Sequence, residues 1–218
     1  MRTITLCLLG GCLLAACNNE PKAETAPAVA ASKTSEALPP PAPAAVPRPD
    51  SATMERNWRE YMTPGTEHLM LADAAGSWDC ETTFWAAPGA PGVTSMLQTQ
   101  TKMILGKLYQ QSVSKGKVYG MDFEGISTVA FDKHKKKYLS TWIDNMGSGI
   151  VSLEGSWDST TRTINFTGTM VNPGTGQEEA ARETWTVIDR DHQLMQMYGP
   201  GPDGKEFKVM QIHYRRKK

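Results

Sequence analysis

"YLSTWIDNMGSGIVSLEGSW", Tyr138 to Trp157, decides how the folded part of this chain is read. Two runs rich in strand-forming residues flank Asn145-Met146-Gly147-Ser148-Gly149, a cluster that accepts turn conformations. A strand alternates its side chains between two faces. That period puts Tyr138, Ser140, Trp142 and Asp144 on one face, and Leu139, Thr141, Ile143 and Asn145 on the other. In the second run Ile150, Ser152 and Glu154 oppose Val151, Leu153 and Gly155. Neither face is purely aliphatic, whereas a solid core predicts one clean apolar face.

The pattern extends outward in both directions. Strand-like runs recur near Ser77–Trp85, Thr94–Leu105, Leu108–Lys115, Phe123–Phe131 and Lys137–Asp144. Five more follow near Gly149–Trp157, Thr163–Val171, Ala181–Ile188, Gln193–Tyr198 and Lys205–Tyr214. Between them stand "APGAPG", "DKHK", "NMGSG", "DSTT", "NPGTG", "DRDH" and "GPDG", which supply the backbone angles of hairpins. Short, even links without intervening helices predict an all-β, up-and-down antiparallel meander of about ten strands. Closing it into a barrel removes its sticky edges. A sandwich is the alternative, but it needs longer crossovers than these. Helical spacing occurs only in "MERNWREYMTPGTEHLMLADAAGSW", where Trp58, Tyr61 and Met62 share a stripe. Pro64 and Gly65 interrupt that stripe, a second turn runs from Thr66 through Leu69, Met70 and Ala74, and Gly76 ends it.

The chain opens "MRTITLCLLGGCLLAACNNE". Arg2, a short apolar run from Ile4 to Leu14 and the small residues after it have the form of a cleavable export signal. Leu14-Ala15-Ala16-Cys17 resembles the lipobox of bacterial lipoproteins. That resemblance implies a signal peptide over residues 1–16, cleavage before Cys17, and lipid on its thiol and new amine. An ordinary signal peptide with incidental cysteines is the alternative. Acyl chains bury about 0.8 kcal/mol per methylene, so several make a durable membrane anchor. Asn18 rather than Asp after the cysteine resembles an outer-membrane address facing the periplasm. Residues 17–53 are rich in Ala, Pro, Ser and Thr and predict a disordered tether. At about 3.1 Å per residue it reaches on the order of 100 Å. Residues 54–218 then form one domain, and Cys80 is the single cysteine within it, expected as a buried, inert thiol.

The segments "KMILGKLYQQSVSKG", "FEGISTVAFDKHKKKYLSTWIDNMGSGIVSLEGSWD" and "GPDGKEFKVMQIHYRRK" resemble the bacterial domain-of-unknown-function 1579 family. The resemblance covers nearly all of Glu67 to Lys217, and TWIDNMGSGI is its most distinctive segment. It implies a lipocalin-like, or calycin, barrel of the ligand-holding kind, and it brings no established activity. The leader and tether are additions particular to this member.

Mixed strand faces predict a lumen bordered by Trp, Tyr, Ser, Thr and a few carboxylates, suited to a medium-sized, partly apolar ligand. The candidate ligand-binding residues are Glu124, Tyr138, Trp142, Asp144, Glu154, Arg182 and Trp185. The tryptophans and Tyr138 supply contact area; Glu124 and Arg182 orient the ligand. Arg182, beside Glu183, pairs in this reading with Glu124 or Glu154. The competing reading is a packed barrel in which Asp144 and Asn145 only form the turn. His68, His134 and His192 are expected at the surface. His213 lies late in the chain, where haem-binding calycin barrels place an axial ligand, but its flanks do not match. Met195 and Met197 share a strand face and raise copper; flexible core filling explains them as well.

No cofactor, metal or nucleic-acid partner is expected. The net charge is zero, and the basic "RRKK" end is local. HExxH, GxSxG, paired CxxC and phosphate-loop motifs are absent from the sequence, so catalysis rests only on a carboxylate pair drawn from Glu124, Asp144 and Glu154. Three functions stand: a lipid-anchored carrier, a structural or partner-docking lipoprotein with a filled barrel, and an enzyme using lumen carboxylates.

Overall fold

The computed structural model describes residues 47–218. The signal peptide expected over 1–16, Cys17 and most of the 17–53 segment lie outside the described residues. Asp50 caps the first helix, α1 (Ser51–Met62), by accepting from the Thr53 amide at 2.8 Å. Gly65 stands at the start of α2 (Thr66–Asp73), after the break at Pro64. Ten strands follow: β1 (Gly76–Phe84), β2 (Val93–Ile104), β3 (Tyr109–Val118), β4 (Met121–Asp132) and β5 (Lys137–Asp144). The remainder are β6 (Val151–Asp158), β7 (Thr163–Asn172), β8 (Gln177–Val187), β9 (His192–Pro200) and β10 (Glu206–Arg216).

Each strand pairs antiparallel with its neighbours in sequence, and β1 pairs with β10, so the meander closes. The ten-strand, up-and-down barrel expected from period and turn chemistry is therefore the architecture. Asx side chains make the hairpins. Asp132, Asp158, Asn172, Asp189 and Asp203 each accept from a backbone amide two residues on, at 2.7–3.1 Å. Residues with positive φ complete four of these turns: Lys136, Arg162, Gly176 and Gly204.

One end of the barrel is stoppered by α2. Leu71 is fully buried in a core with Val129, Tyr138, Leu153, Ile164 and Phe166. Gln110 donates from inside the barrel to the Leu71 carbonyl at 2.7 Å, and the Trp78 indole donates to the Ala74 carbonyl at 2.9 Å. Both bonds anchor carbonyls at the helix C-terminus, where intrahelical donors run out, and the Leu71 carbonyl accepts from the Ala74 amide as well, at 3.3 Å. Arg216 extends from the last strand across the Trp78 ring and donates to the carbonyls of Asp73 and Ala75 at 2.7 and 2.6 Å. The first helix, in contrast, buries none of its residues, and Trp58 is 65% exposed.

His68 departs from the expected surface position. It is buried, its Nδ1 accepts from the Gly65 amide at 3.0 Å, and its ring meets Phe131 edge-on. Burial lowers its pKa below the ordinary imidazole value. A histidine one turn into a short helix here closes the helix start rather than facing water. His134 is exposed in a turn and His192 is exposed at the start of β9.

Candidate functional site

Odd-numbered strands leave the stoppered end and even-numbered strands return to it. The upper half of the lumen is consequently built from the ends of β1, β3, β5, β7 and β9 and the starts of the others. A cavity of about 350 Å³ occupies this lumen, within the range of small-molecule sites. It reaches the surface beside Tyr119 and Met146, both exposed. Further apolar side chains, Met121 and Ile150 among them, are exposed at that end.

The walls differ in chemistry. From β1 to β4 a ladder of hydroxyls and one thiol runs among apolar side chains such as Trp78, Leu97 and Phe123. Cys80 Sγ donates to Thr99 Oγ1 at 3.2 Å, Thr99 and Ser114 hydroxyls meet at 2.8 Å, and Thr101 and Ser112 at 2.9 Å. The Thr82 hydroxyl, also on this wall, is buried without a partner among the described residues. Burial raises the Cys80 thiol pKa to about 11, which keeps it protonated and unreactive at neutral pH. From β7 to β10 the lining is soft and aromatic: Met170, Trp185, Met195, Met197, Met210 and Tyr214. Trp185 Nε1 donates to Gln193 Oε1 at 2.9 Å, fixing the indole in the wall.

One carboxyl interrupts this apolar wall. Glu183 points inward from β8, in register with Phe166 on β7 and Met197 on β9. It has no hydrogen bond or ion pair among the described residues, and no Lys, Arg or His among them borders the cavity. Although the lumen itself leaves part of its surface accessible, Glu183 lies deep in the protein. Desolvation raises its pKa to about 7. The Tyr214 phenol nearby is likewise pushed up, mainly by burial and further by Cys80 and Glu183.

Of the candidate residues, the structure brings together Trp142, Asp144 and Trp185 on the cavity wall. Trp142 stacks on Phe123, with ring centres 6.3 Å apart, and its indole N–H donates to Asp144 Oδ2 at 2.7 Å. Asp144 Oδ1 also accepts from the Met146 amide at 2.8 Å, so it shapes the turn as well as bordering the cavity. Tyr138 faces inward but sits below the cavity, against Phe131 and the Met70 sulfur. Its burial raises the phenol pKa to about 12. It belongs to the packed floor and not to the cavity lining.

Three candidates lie on the outer surface. Glu124 pairs with Lys115 at 3.0 Å and Glu154 with Lys135 at 2.9 Å. Arg182 does not reach either carboxylate. It grips Glu206 through two bonds of 2.9 and 2.6 Å and lies 3.7 Å from the Tyr198 ring centre. Alternation is the reason: the inward residues on these strands are Phe123, Ser127, Val151, Leu153 and Glu183. No cross-strand pairing of Glu124, Asp144 and Glu154 exists, since Asp144 alone faces the lumen. Glu183, written beside Arg182 in the sequence, is the functional-type residue that the reading passed over; its shared parity with Trp185 was the available signal. His213 also faces outward, bonded to Gln211 at 2.7 Å, so it offers no ligand to a haem in the lumen. Met195 and Met197 both border the cavity, while His192 contacts Asp189 in its turn.

A second hollow, of about 590 Å³, lies outside the barrel between α2 and the turns at the stoppered end. Two of its arginines are occupied in holding structure: Arg216 as described, and Arg162 by donating to the Ile188 carbonyl at 3.1 Å. The lumen is therefore the stronger candidate site.

Solved structures share this architecture at low sequence identity. The S-type phycobiliprotein lyase CPES from Guillardia theta superposes with a TM-score of 0.52 at 10% identity, covering 73% of this chain and 97% of the lyase chain. Rv2717c from M. tuberculosis gives 0.53 at 12% identity, covering 72% and 100%. These likenesses establish a lipocalin-like barrel fold. A search of curated proteins finds no match. The family described as "Protein of unknown function (DUF1579)" matches residues 63–216, which span both the stoppering helix and all ten strands, and the chain belongs to that family.

Proposed function

We propose that this barrel holds a small, partly apolar molecule in its lumen. The observation that carries the reading is the cavity of about 350 Å³ bordered by three tryptophans, several methionines and the Glu183 carboxyl, which has no protein partner among the described residues. Buried polar groups are ordinarily hydrogen-bonded, so an unmatched carboxyl bordering the cavity suits a ligand's polar atom. The apolar lining supplies contact area, and the exposed end beside Tyr119 and Met146 supplies access. We propose as well, on the lipobox-like Leu14-Ala15-Ala16-Cys17 alone, that the protein is an exported lipoprotein with lipid on Cys17 and the barrel tethered to the outer membrane on its periplasmic side.

Native mass spectrometry of protein purified from its own envelope tests the lumen. The expected result is an added mass that is lost on denaturation and reduced in Trp142→Ala. Protein that carries no such mass, and that takes up no apolar probe, would show the lumen idle. For the anchor, Cys17→Ser is expected to abolish acylation and retain the uncleaved precursor. Metabolic labelling that still placed lipid on this variant would refute the assignment.

A further inference from the structure

Resting on the lumen reading above, we infer that the ligand is a cation, an alkyl- or arylamine whose ammonium group pairs with the Glu183 carboxylate.

The argument is one of missing countercharge. An ionised group inside a protein is costly unless something of opposite sign meets it. Glu183 extends from the middle of β8 into the cavity, with Met197 opposite on the next strand and Met210 beyond that. Arg182, the adjacent basic residue, faces outward and is engaged by Glu206 and Tyr198. The cavity's other carboxylate, Asp144, already accepts from Trp142 and Met146 at the opening. The remaining polar lining is neutral, made of hydroxyls, a thiol and two glutamines. The lumen is thus electrically one-sided: its ionisable carboxyls can only turn negative, and nothing among the lining residues balances them.

The surroundings favour the same ligand class. Trp185 shares the inward face of β8 with Glu183, and the Tyr214 phenol lies close enough to feel its charge. Aromatic faces attract cations, most strongly where water is excluded. An anionic amphiphile such as a fatty acid would meet two carboxylates and no cation. A neutral alcohol would gain only an ordinary hydrogen bond. At about 30 Å³ per solvent-sized group, the cavity takes on the order of ten such groups, which octylamine matches.

Three probes of equal chain length decide the matter: octylamine, octanol and octanoate, each below its micelle concentration. Titration by calorimetry and by tryptophan fluorescence is done at mildly alkaline pH, where Glu183 is ionised and octylamine still protonated. Octylamine is expected to bind about ten- to a hundredfold more tightly than octanol, as a charge-assisted bond allows, with octanoate weakest. Glu183→Gln should erase that preference while keeping octanol binding, and Arg182→Ala should leave it intact. Octanol or octanoate binding as tightly as octylamine, or a preference surviving in Glu183→Gln, overturns the cation assignment and leaves the lumen a binding site. Silence from all three probes overturns the lumen reading and the cation with it. The ranking on the unaltered protein stands even if the variant fails to fold.

Discussion

The benzo ring of Trp142 lies directly over Gly125 on the neighbouring strand, where any side chain would collide with it. The missing Cβ lets the indole lie flat, stack on Phe123 and aim its N–H at Asp144. Three features of the cavity opening hence depend on one glycine. Gly125→Ala is expected to displace the indole, shift tryptophan emission and cost about 1–3 kcal/mol, as overpacking does. Unchanged emission and an unchanged denaturation midpoint would show that Trp142 needs no such space.

The ionisation of Glu183 ties stability to pH. Its folded pKa, about 7, lies above the ordinary carboxylate value of 4.5. Between these values the folded protein keeps a proton that the unfolded chain has lost, so stability falls as pH rises through that window. At about 1.4 kcal/mol per pKa unit, the full loss reaches roughly 3 kcal/mol. Denaturant midpoints measured across the window should fall with pH in the native protein and flatten in Glu183→Gln. Equal pH profiles for the two proteins would contradict this.

Cys80 is expected to resist thiol reagents while the barrel is folded. The residue is 1% exposed, and its thiol is hydrogen-bonded to Thr99 and held protonated by burial. Labelling should follow the rate of global unfolding and accelerate sharply in denaturant. Rapid modification in native buffer would mean that reagents of that size enter the lumen.

Arg216 fastens the stopper. Its guanidinium reaches three backbone carbonyls, those of Asp73, Ala75 and Arg190, and covers the Trp78 ring at 4.2 Å. Arg216→Ala strands these acceptors and is expected to destabilise by about 2–4 kcal/mol. Lysine cannot reproduce the planar fork, so Arg216→Lys should recover only part of the loss. Thermal unfolding of both variants checks the order.

Much of the barrel was legible because strands and turns obey local rules. The Asx residues closing the hairpins and the period-two runs located all ten strands within a few residues. Parity also placed Trp142 and Asp144 on one side of their strand. It failed as a guide to Glu124, Glu154 and Arg182 because both faces of these strands mix polar with apolar residues. Ile126, Ile143 and Ile150 point outward beside those charges, so hydrophobicity alone could not say which face was inner. In β10 a register shift between Lys208 and Met210 further blurs the count. His68 was misplaced for a different reason: its partner is a backbone amide in the preceding break, which helix periodicity does not register.

The join between the first and last strands governs when this molecule can come into being. Nine hairpins can form as soon as their own residues are available, but the circle waits for Met210 to Arg216 to arrive beside Trp78 to Phe84. Such distant partners make assembly slow. A nascent or truncated chain ending before β10 would present two unsatisfied borders at once, an invitation to pair with another copy.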